Sequence, residues 1–231
     1  MKRLGLIGGM SWESTAVYYR LLNEMARERL GGCHSADLVM ISVDFAPIAA
    51  MQAAGAWDEA TAVMVEAARR LEGAGAAAVL ICANTMHRMA DEVQAAVGVP
   101  VIHIADVTAR AVGAAGARRP LLLATQFTME QDFYRDRLRA GGVEALIPSE
   151  DERARLHAII YDELVRGRIE AASRRAFIAI VERAVADEGV DAAILGCTEF
   201  GLLVRSGDLA VPVFDTTELH ARAAMDFALA V

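Results

Sequence analysis

The sequence predicts an α/β protein of two pseudo-symmetric lobes, each a parallel sheet flanked by helices, with a ligand cleft between them. Short apolar runs of strand length alternate with longer amphipathic segments along all 231 residues. Strands that are apolar on both faces belong in parallel sheets covered by helices on each side. An apolar strand ending in a thiol also occurs twice, as Ala77-Ala78-Val79-Leu80-Ile81-Cys82 and as Ala192-Ala193-Ile194-Leu195-Gly196-Cys197. Each is followed by Val-Pro-Val, at Val99-Pro100-Val101 and Val211-Pro212-Val213. Nine residues past each proline comes Ala-Arg-Ala, at Ala109-Arg110-Ala111 and Ala221-Arg222-Ala223. That recurring order reads as a duplicated half.

The first strand is expected at residues 4–7, closed by Gly8-Gly9, a tight turn that does not match Gly-x-Gly-x-x-Gly. Ser11 is then placed to cap a helix over 13–30. Further strands are expected at 38–43, 77–81, 101–104, 120–124, 143–147, 192–195 and 211–214. The amphipathic segments between them predict helices at 59–72, 86–96, 107–114, 130–140, 152–165, 171–187 and 218–229. Gly, Ala and a basic pair interrupt the pattern at 113–119, which divides the chain into lobes of residues 1–115 and 116–231. The C-terminal helix at 218–229 is free to pack back onto the first lobe.

Hydrophobic residues make up 55% of the chain, enough for a sizeable core. A net charge of −8, with basic residues interleaved among acids, excludes electrostatic capture of nucleic acid or an anionic membrane. Three widely spaced cysteines with no Cys-x-x-Cys pair argue against a disulfide framework and a zinc finger. The opening Met1-Lys2-Arg3-Leu4 imitates a signal peptide, but its apolar stretch ends at Gly8-Gly9. No run is long enough for a membrane helix, so a cytoplasmic location is expected. Lys2 is the only lysine and stands at the entrance of the first strand. A pyridoxal cofactor needs a lysine Schiff base in the site. No cofactor is expected, and no His/Cys spacing supports a metal.

In open parallel sheets ligands bind beyond the carboxyl ends of the strands. Polar groups collect there: Ser11, Asp44, Asn84, Thr85, Thr125, Thr128, Thr198, Glu199 and Asp215. Cys197 stands where a strand stops and a helix can begin, and a helix amino terminus favours thiolate over thiol. His87 can act as a base or orient one, and His220 can approach the cleft from the second half. His103 reads as a hydrogen-bonded core residue, and His34 and His157 read as peripheral.

The runs Gly8-Gly9-Met10-Ser11-Trp12-Glu13-Ser14-Thr15, Asn84-Thr85-Met86-His87, Thr128-Met129-Glu130-Gln131-Asp132-Phe133-Tyr134 and Gly196-Cys197-Thr198-Glu199 resemble those of the aspartate/glutamate racemase family. Its broad-specificity amino-acid racemase branch is the nearest likeness, and the match runs over essentially the whole chain. The resemblance implies two α/β lobes, a homodimer and cofactor-free racemisation of a small amino acid in the cleft. In that family one cysteine deprotonates Cα and a second, on the opposite face, returns a proton. Carried over by motif, Cys197 and Cys82 are the catalytic candidates. Asn84, Thr85 and Thr198 would hold the substrate's carboxylate or amino group, with Met10, Gln52, Thr125 and Thr128 lining the pocket.

One departure stands out. The common motif puts the first cysteine directly before Asn-Thr, where this chain has Ala83, with a thiol one residue earlier at Cys82. The duplicated-strand alignment pairs Cys82 with Cys197, whereas the Asn-Thr anchor pairs Ala83 with it. Neighbouring strand residues face opposite ways. Three readings stay open: an asymmetric racemase with one strong base at Cys197, an introduced substitution at Ala83, or divergence to a one-thiol reaction such as decarboxylation. A non-catalytic binder of a small amino or carboxylic acid is the competing class. No lysine is available to clamp a distal carboxylate, and Arg166 and Arg168 are the remaining candidates.

Overall fold

The computed structural model describes residues 1–230, apart from the side chain of Ser206. The elements are β1 (Leu4–Gly8), α1 (Trp12–Leu30), β2 (Leu38–Ser42), α2 (Phe45–Ala54), α3 (Trp57–Gly73), β3 (Ala78–Ile81), α4 (Ala90–Ala95), α5 (Ile104–Ala114) and β4 (Pro120–Leu123). They continue with α6 (Gln126–Glu130), α7 (Asp132–Ala140), α8 (Glu150–Ala158), α9 (Ala171–Glu188), β5 (Ala192–Leu195), α10 (Phe200–Leu203), β6 (Val213–Asp215) and α11 (Thr216–Leu229). Two compact units result. One joins Met1–His103 to the segment from His220 onward, and the other is Ile104–Leu219. Each holds a parallel three-stranded sheet, β2-β1-β3 in the first and β4-β5-β6 in the second. Among the described residues no helix is long and apolar enough to cross a membrane.

In the first unit β1 is central and wholly buried. Its alternation feeds two clusters: Leu4 and Leu6 pack with Tyr18 and Leu22 of α1, and Ile7 packs with Met64 and Leu71 of α3. Fully burying one such aliphatic side chain contributes about 2 kcal/mol, so these alternating positions fix which helix covers which face. The small residues Ala221, Ala224 and Ala228 of α11 let that helix lie close on the Leu4 face. In the second unit Leu121, Leu123, Ile194 and Leu195 meet Tyr134 and Leu138 of α7 and Phe177 of α9.

The strand registers settle how the duplicated segments correspond. Leu4 to Ile7 of β1 pair with Ala78 to Ile81, and Pro120 to Leu123 of β4 pair with Ala192 to Leu195. The next backbone bond is the same in both: Cys82 N donates to Ile7 O at 2.9 Å, and Gly196 N donates to Leu123 O at 2.7 Å. Val79 bridges to Val101 as Ala193 pairs with Val213. Cys82 is therefore the counterpart of Gly196, and Ala83 the counterpart of Cys197.

Several expected elements differ. Segments 101–104 and 143–147 make single bridges, Val79 to Val101 and Leu121 to Leu146, instead of strands. Pro100 has no N–H to give and Ile104 already begins α5, while Pro148 closes the other segment. The helix expected at 86–96 starts as a 3-10 turn over Thr85–Met89. That expected at 130–140 is α7, starting at Asp132 after an extended Gln131, and the short α6 before it was not expected. That expected at 152–165 passes through a π-helical turn at Ile159–Glu163. Helix α2, apolar all round, has no polar stripe to reveal it; Asp44 caps it by accepting from Ala46 N at 3.1 Å. The second unit begins at Ile104, ahead of 113–119, because α5 buries Ile104, Ala105, Ala109 and Val112 beside Leu121 and Leu138.

Candidate active site

Gly196 brings the second unit's thiol close to the neighbouring strand. A Cβ there would stand 2.7 Å from Leu122 Cδ1 and 3.1 Å from the Ala124 methyl, so a side chain would push the loop off β4. Cys197 follows, 6% exposed. Its Sγ donates to Glu199 Oε2 at 3.0 Å, and Thr198 Oγ1 donates to the same oxygen at 2.9 Å. Glu199 is itself buried.

The expectation that a helix terminus makes Cys197 a ready thiolate is overturned. Burial and the adjacent Glu199 carboxylate hold the thiol well above its usual range, against the backbone N–H groups of Glu199 and Phe200, which pull it down. Helix α10 has only four residues, too few for an appreciable dipole. The sulfur rests protonated, its proton directed at the Glu199 carboxylate. Glu199→Gln removes that charge, so alkylation of Cys197 by iodoacetamide in a Cys33→Ser background is expected to speed up. Unchanged or slower alkylation, read by mass spectrometry across a pH series, contradicts the pairing.

Around Cys197, Thr125 and Thr128 sit at the end of β4, both buried, with hydroxyls 3.2 Å apart. Thr125 caps α6, accepting from Thr128 N at 3.3 Å. Thr198 spends its hydroxyl proton on Glu199, so in this arrangement it braces the carboxylate. Tyr161, on the π-helical turn, is held far above its usual pKa by burial and then by the charges of Cys197 and Glu199. His157 stacks on it at 4.5 Å, and Phe127 meets His157 edge-on at 5.5 Å. His157 is thus part of an aromatic wall near the thiol, and not peripheral as expected. Sequence reasoning gave Glu199 no chemical role and missed Tyr161. Glu199 was signalled by standing two residues after the thiol, but a helix of regular period gave no sign of where Tyr161 would point.

In the first unit Met10, Gln52, Ala83, Asn84 and Thr85 are all buried near the carboxyl ends of β1 and β3. Gln52 Nε2 donates to Met86 Sδ at 3.1 Å. Gly9 has φ +93° and a Cβ there would lie 2.1 Å from Val43 O, so the turn leading to Met10 requires glycine. Ala83 joins the cluster of Met10, Ile81 and Met86, whereas Cys82 joins the opposite one with Leu6, Tyr18 and Leu80. Burial in that apolar face pushes the Cys82 thiol far up. Lys2 lies at the other end of β1, its ammonium over the Phe227 ring at 4.9 Å.

His87 Nδ1 bonds Ala83 O at 2.8 Å, and its ring meets those of His103 at 4.7 Å and His220 at 5.6 Å. His220 is fully buried, held between Tyr18 OH at 2.8 Å and Ile102 O at 2.6 Å, and it belongs to the first unit instead of the second half as expected. Because Ile102 O can only accept, Nε2 carries the proton and Nδ1 accepts from Tyr18. Burial first, then the neighbouring His87, depress His220 to about 3. An unfolded histidine titrates at about 6.5. As pH falls below that value the unfolded chain binds a proton the folded one refuses, so stability is complete above it and drains away toward the folded value. Thermal melts from neutral pH downward are expected to show a falling Tm, and His220→Gln should flatten that slope. An equally steep slope in the variant removes His220 as its cause.

The Asp/Glu/hydantoin racemase family model matches residues 7–224. A Yersinia pestis crystal structure provisionally assigned as an Asp/Glu racemase is 48% identical over the full length of both chains, with a TM-score of 0.91. PH1733 of Pyrococcus horikoshii, described as an aspartate racemase homologue, is 36% identical over 99% of each chain, with a TM-score of 0.85. The broad-specificity amino-acid racemase RacX of Bacillus subtilis is 22% identical over 98% of each. With strand order, register and thiol-bearing strand end already in place, the match across nearly the whole sequence shows that this chain belongs to the Asp/Glu/hydantoin racemase family, whose amino-acid racemases are pyridoxal-independent isomerases.

Proposed function

We propose that this chain is a cofactor-independent amino-acid racemase, acting as a cytoplasmic homodimer on a small amino acid, with Cys197 as its strong base. The observation that carries the reading is the Cys197–Glu199 contact at the end of β5, 3.0 Å long and buried. The thiol proton passes to Glu199, and the sulfur, now anionic, keeps the N–H groups of Glu199 and Phe200. The thiolate takes the Cα proton, forming S–H, while the C–H electron pair moves into the substrate carboxylate to give an enediolate. Hydrogen bonds to the substrate carboxylate would stabilise that charge, and Asn84, Thr85, Thr125 and Thr128 are the donors that the family motifs offer. The intermediate collapses by taking a proton back at Cα.

Ala83, the counterpart of Cys197, has no proton to give, and we read Cys82 as a core residue. Return from Cys197 to the face it left is then the fast route, and inversion is slow. The same feature favours a second reading, a one-thiol relative in which carbon dioxide leaves the substrate and Cys197 protonates the resulting carbanion. Neutral side chains suit the site, because the buried Glu199 carboxylate beside Cys197 disfavours a further negative charge there. Chiral chromatography of single enantiomers incubated with dialysed enzyme tests the proposal. Slow conversion of neutral amino acids without added pyridoxal phosphate supports it, and no conversion with saturable binding favours a non-catalytic receptor.

A further inference from the structure

Strand β2 is at odds with its composition. Its sequence is Leu38-Val39-Met40-Ile41-Ser42, yet none of the five residues is buried, whereas β1 and β3 are buried throughout. It is the outer strand of its sheet, paired on one side only to β1. Edge strands of soluble proteins are usually blunted by lysine, proline or a bulge, and β2 has none of these. Both its faces carry apolar grooves. On the α1 side Trp12, Ala16, Tyr19 and Met40 line one of about 370 Å³. On the α3 side Ile41, Val43 and Val63 line another of about 360 Å³. Trp12, Tyr19 and Met40 are 67%, 55% and 44% exposed.

We propose that this edge is the homodimer surface, with β2 pairing antiparallel to β2 of a second copy about a two-fold axis through Met40. The assignment rests on the homodimer reading above and gives it a location. Two properties of the edge select a second copy over a foreign strand. The first is charge. Helix α1 has Glu13 in its first turn and Arg27 and Arg29 in its last; helix α3 has Asp58 and Glu59 first and Arg70 last. A two-fold axis lays each helix antiparallel to its own copy, so the acidic start of α3 faces the copy's last turn, where Arg70 is held by Glu66. On the α1 side Glu13 Oε2 is buried and Arg29 is held by Asp226, and the apolar groove carries the contact there.

The second is spacing. Both helices pack on β1, and the route from β1 to its copy crosses three strand intervals, about 14 Å at about 4.8 Å each. Helices in direct contact lie about 10 Å apart. The gap needs large side chains from both copies, and Trp12 and Tyr19 with Met40 beneath them are such groups. The two-fold keeps each face on its own side, so Met40 meets Met40 and the α1 grooves merge into one apolar layer.

Sedimentation velocity over a concentration series tests this, with circular dichroism as a check on folding. The wild type should be a dimer. Met40→Lys and Tyr19→Glu, both at exposed positions, should each raise the dissociation constant by about a hundredfold, as central contacts do. In a Cys33→Ser background, Met40→Cys should form an intersubunit disulfide on mild oxidation, since directly opposed strand residues fall within bonding range. A monomeric wild type overturns both the homodimer and its surface. A dimer unmoved by either charged variant, with no disulfide formed by the Met40→Cys variant, overturns the surface and leaves the homodimer standing.

Discussion

Replacing Cys197 with Ser is expected to slow exchange of the substrate α-proton by about a thousandfold, within the range set by loss of a general base. A hydroxyl at that point fills nearly the same space and keeps the hydrogen bond to Glu199, so fold and binding should survive. What disappears is a thiol, a much stronger acid than a serine hydroxyl and so far easier to bring to its anionic form. Cys82→Ser, sealed among Leu6, Tyr18 and Leu80, should lower thermal stability and leave turnover per folded molecule unchanged. Serine at 197 with undiminished exchange, or a turnover loss at 82 matching that at 197, would mean that the wrong thiol has been assigned.

The second large effect is expected at Ala83. The registers of β3 and β5 make it the counterpart of Cys197, on the face shared with Met10 and Met86 and opposite to Cys82. Ala83→Cys adds a single sulfur at a strand end, a change whose packing cost is at most about 1–3 kcal/mol. It supplies a proton donor where the chain has a methyl group. Conversion of one enantiomer into the other should rise by about tenfold or more relative to exchange with retention. A ratio that stays at the wild-type value, with the protein folded, argues against a second proton-transfer position at residue 83.

The layers of the fold were legible because buried strands such as 77–81 and 192–195 are apolar on both faces, a pattern only a doubly covered parallel sheet requires. Helix α2 was not, since Phe45, Ile48 and Met51 give it no polar stripe. The segments at 101–104 and 143–147 read as strands on composition, but ladder length is decided by neighbouring proline and by where the next helix begins. The Cys82 ambiguity could not be settled from spacing, because the two halves differ in loop length between thiol and Val-Pro-Val; register resolved it through the matching bonds at Cys82 N and Gly196 N. Protonation of Cys197 was misread for a similar reason: a strand-to-helix junction promises N–H donors, but the sign of the outcome rests on where the Glu199 side chain turns. That is a rotamer, which no local pattern specifies.

Cys197, with Glu199 as proton acceptor, is held to exchange the α-proton of a free amino acid without any cofactor. Proton NMR of a single enantiomer of a neutral amino acid in deuterated water, followed alongside its optical rotation, measures exchange and inversion in one sample. Loss of the α-proton signal well ahead of loss of rotation is the predicted result. An α-proton that persists in every amino acid tried, or that vanishes equally fast in the Cys197→Ser variant, contradicts it.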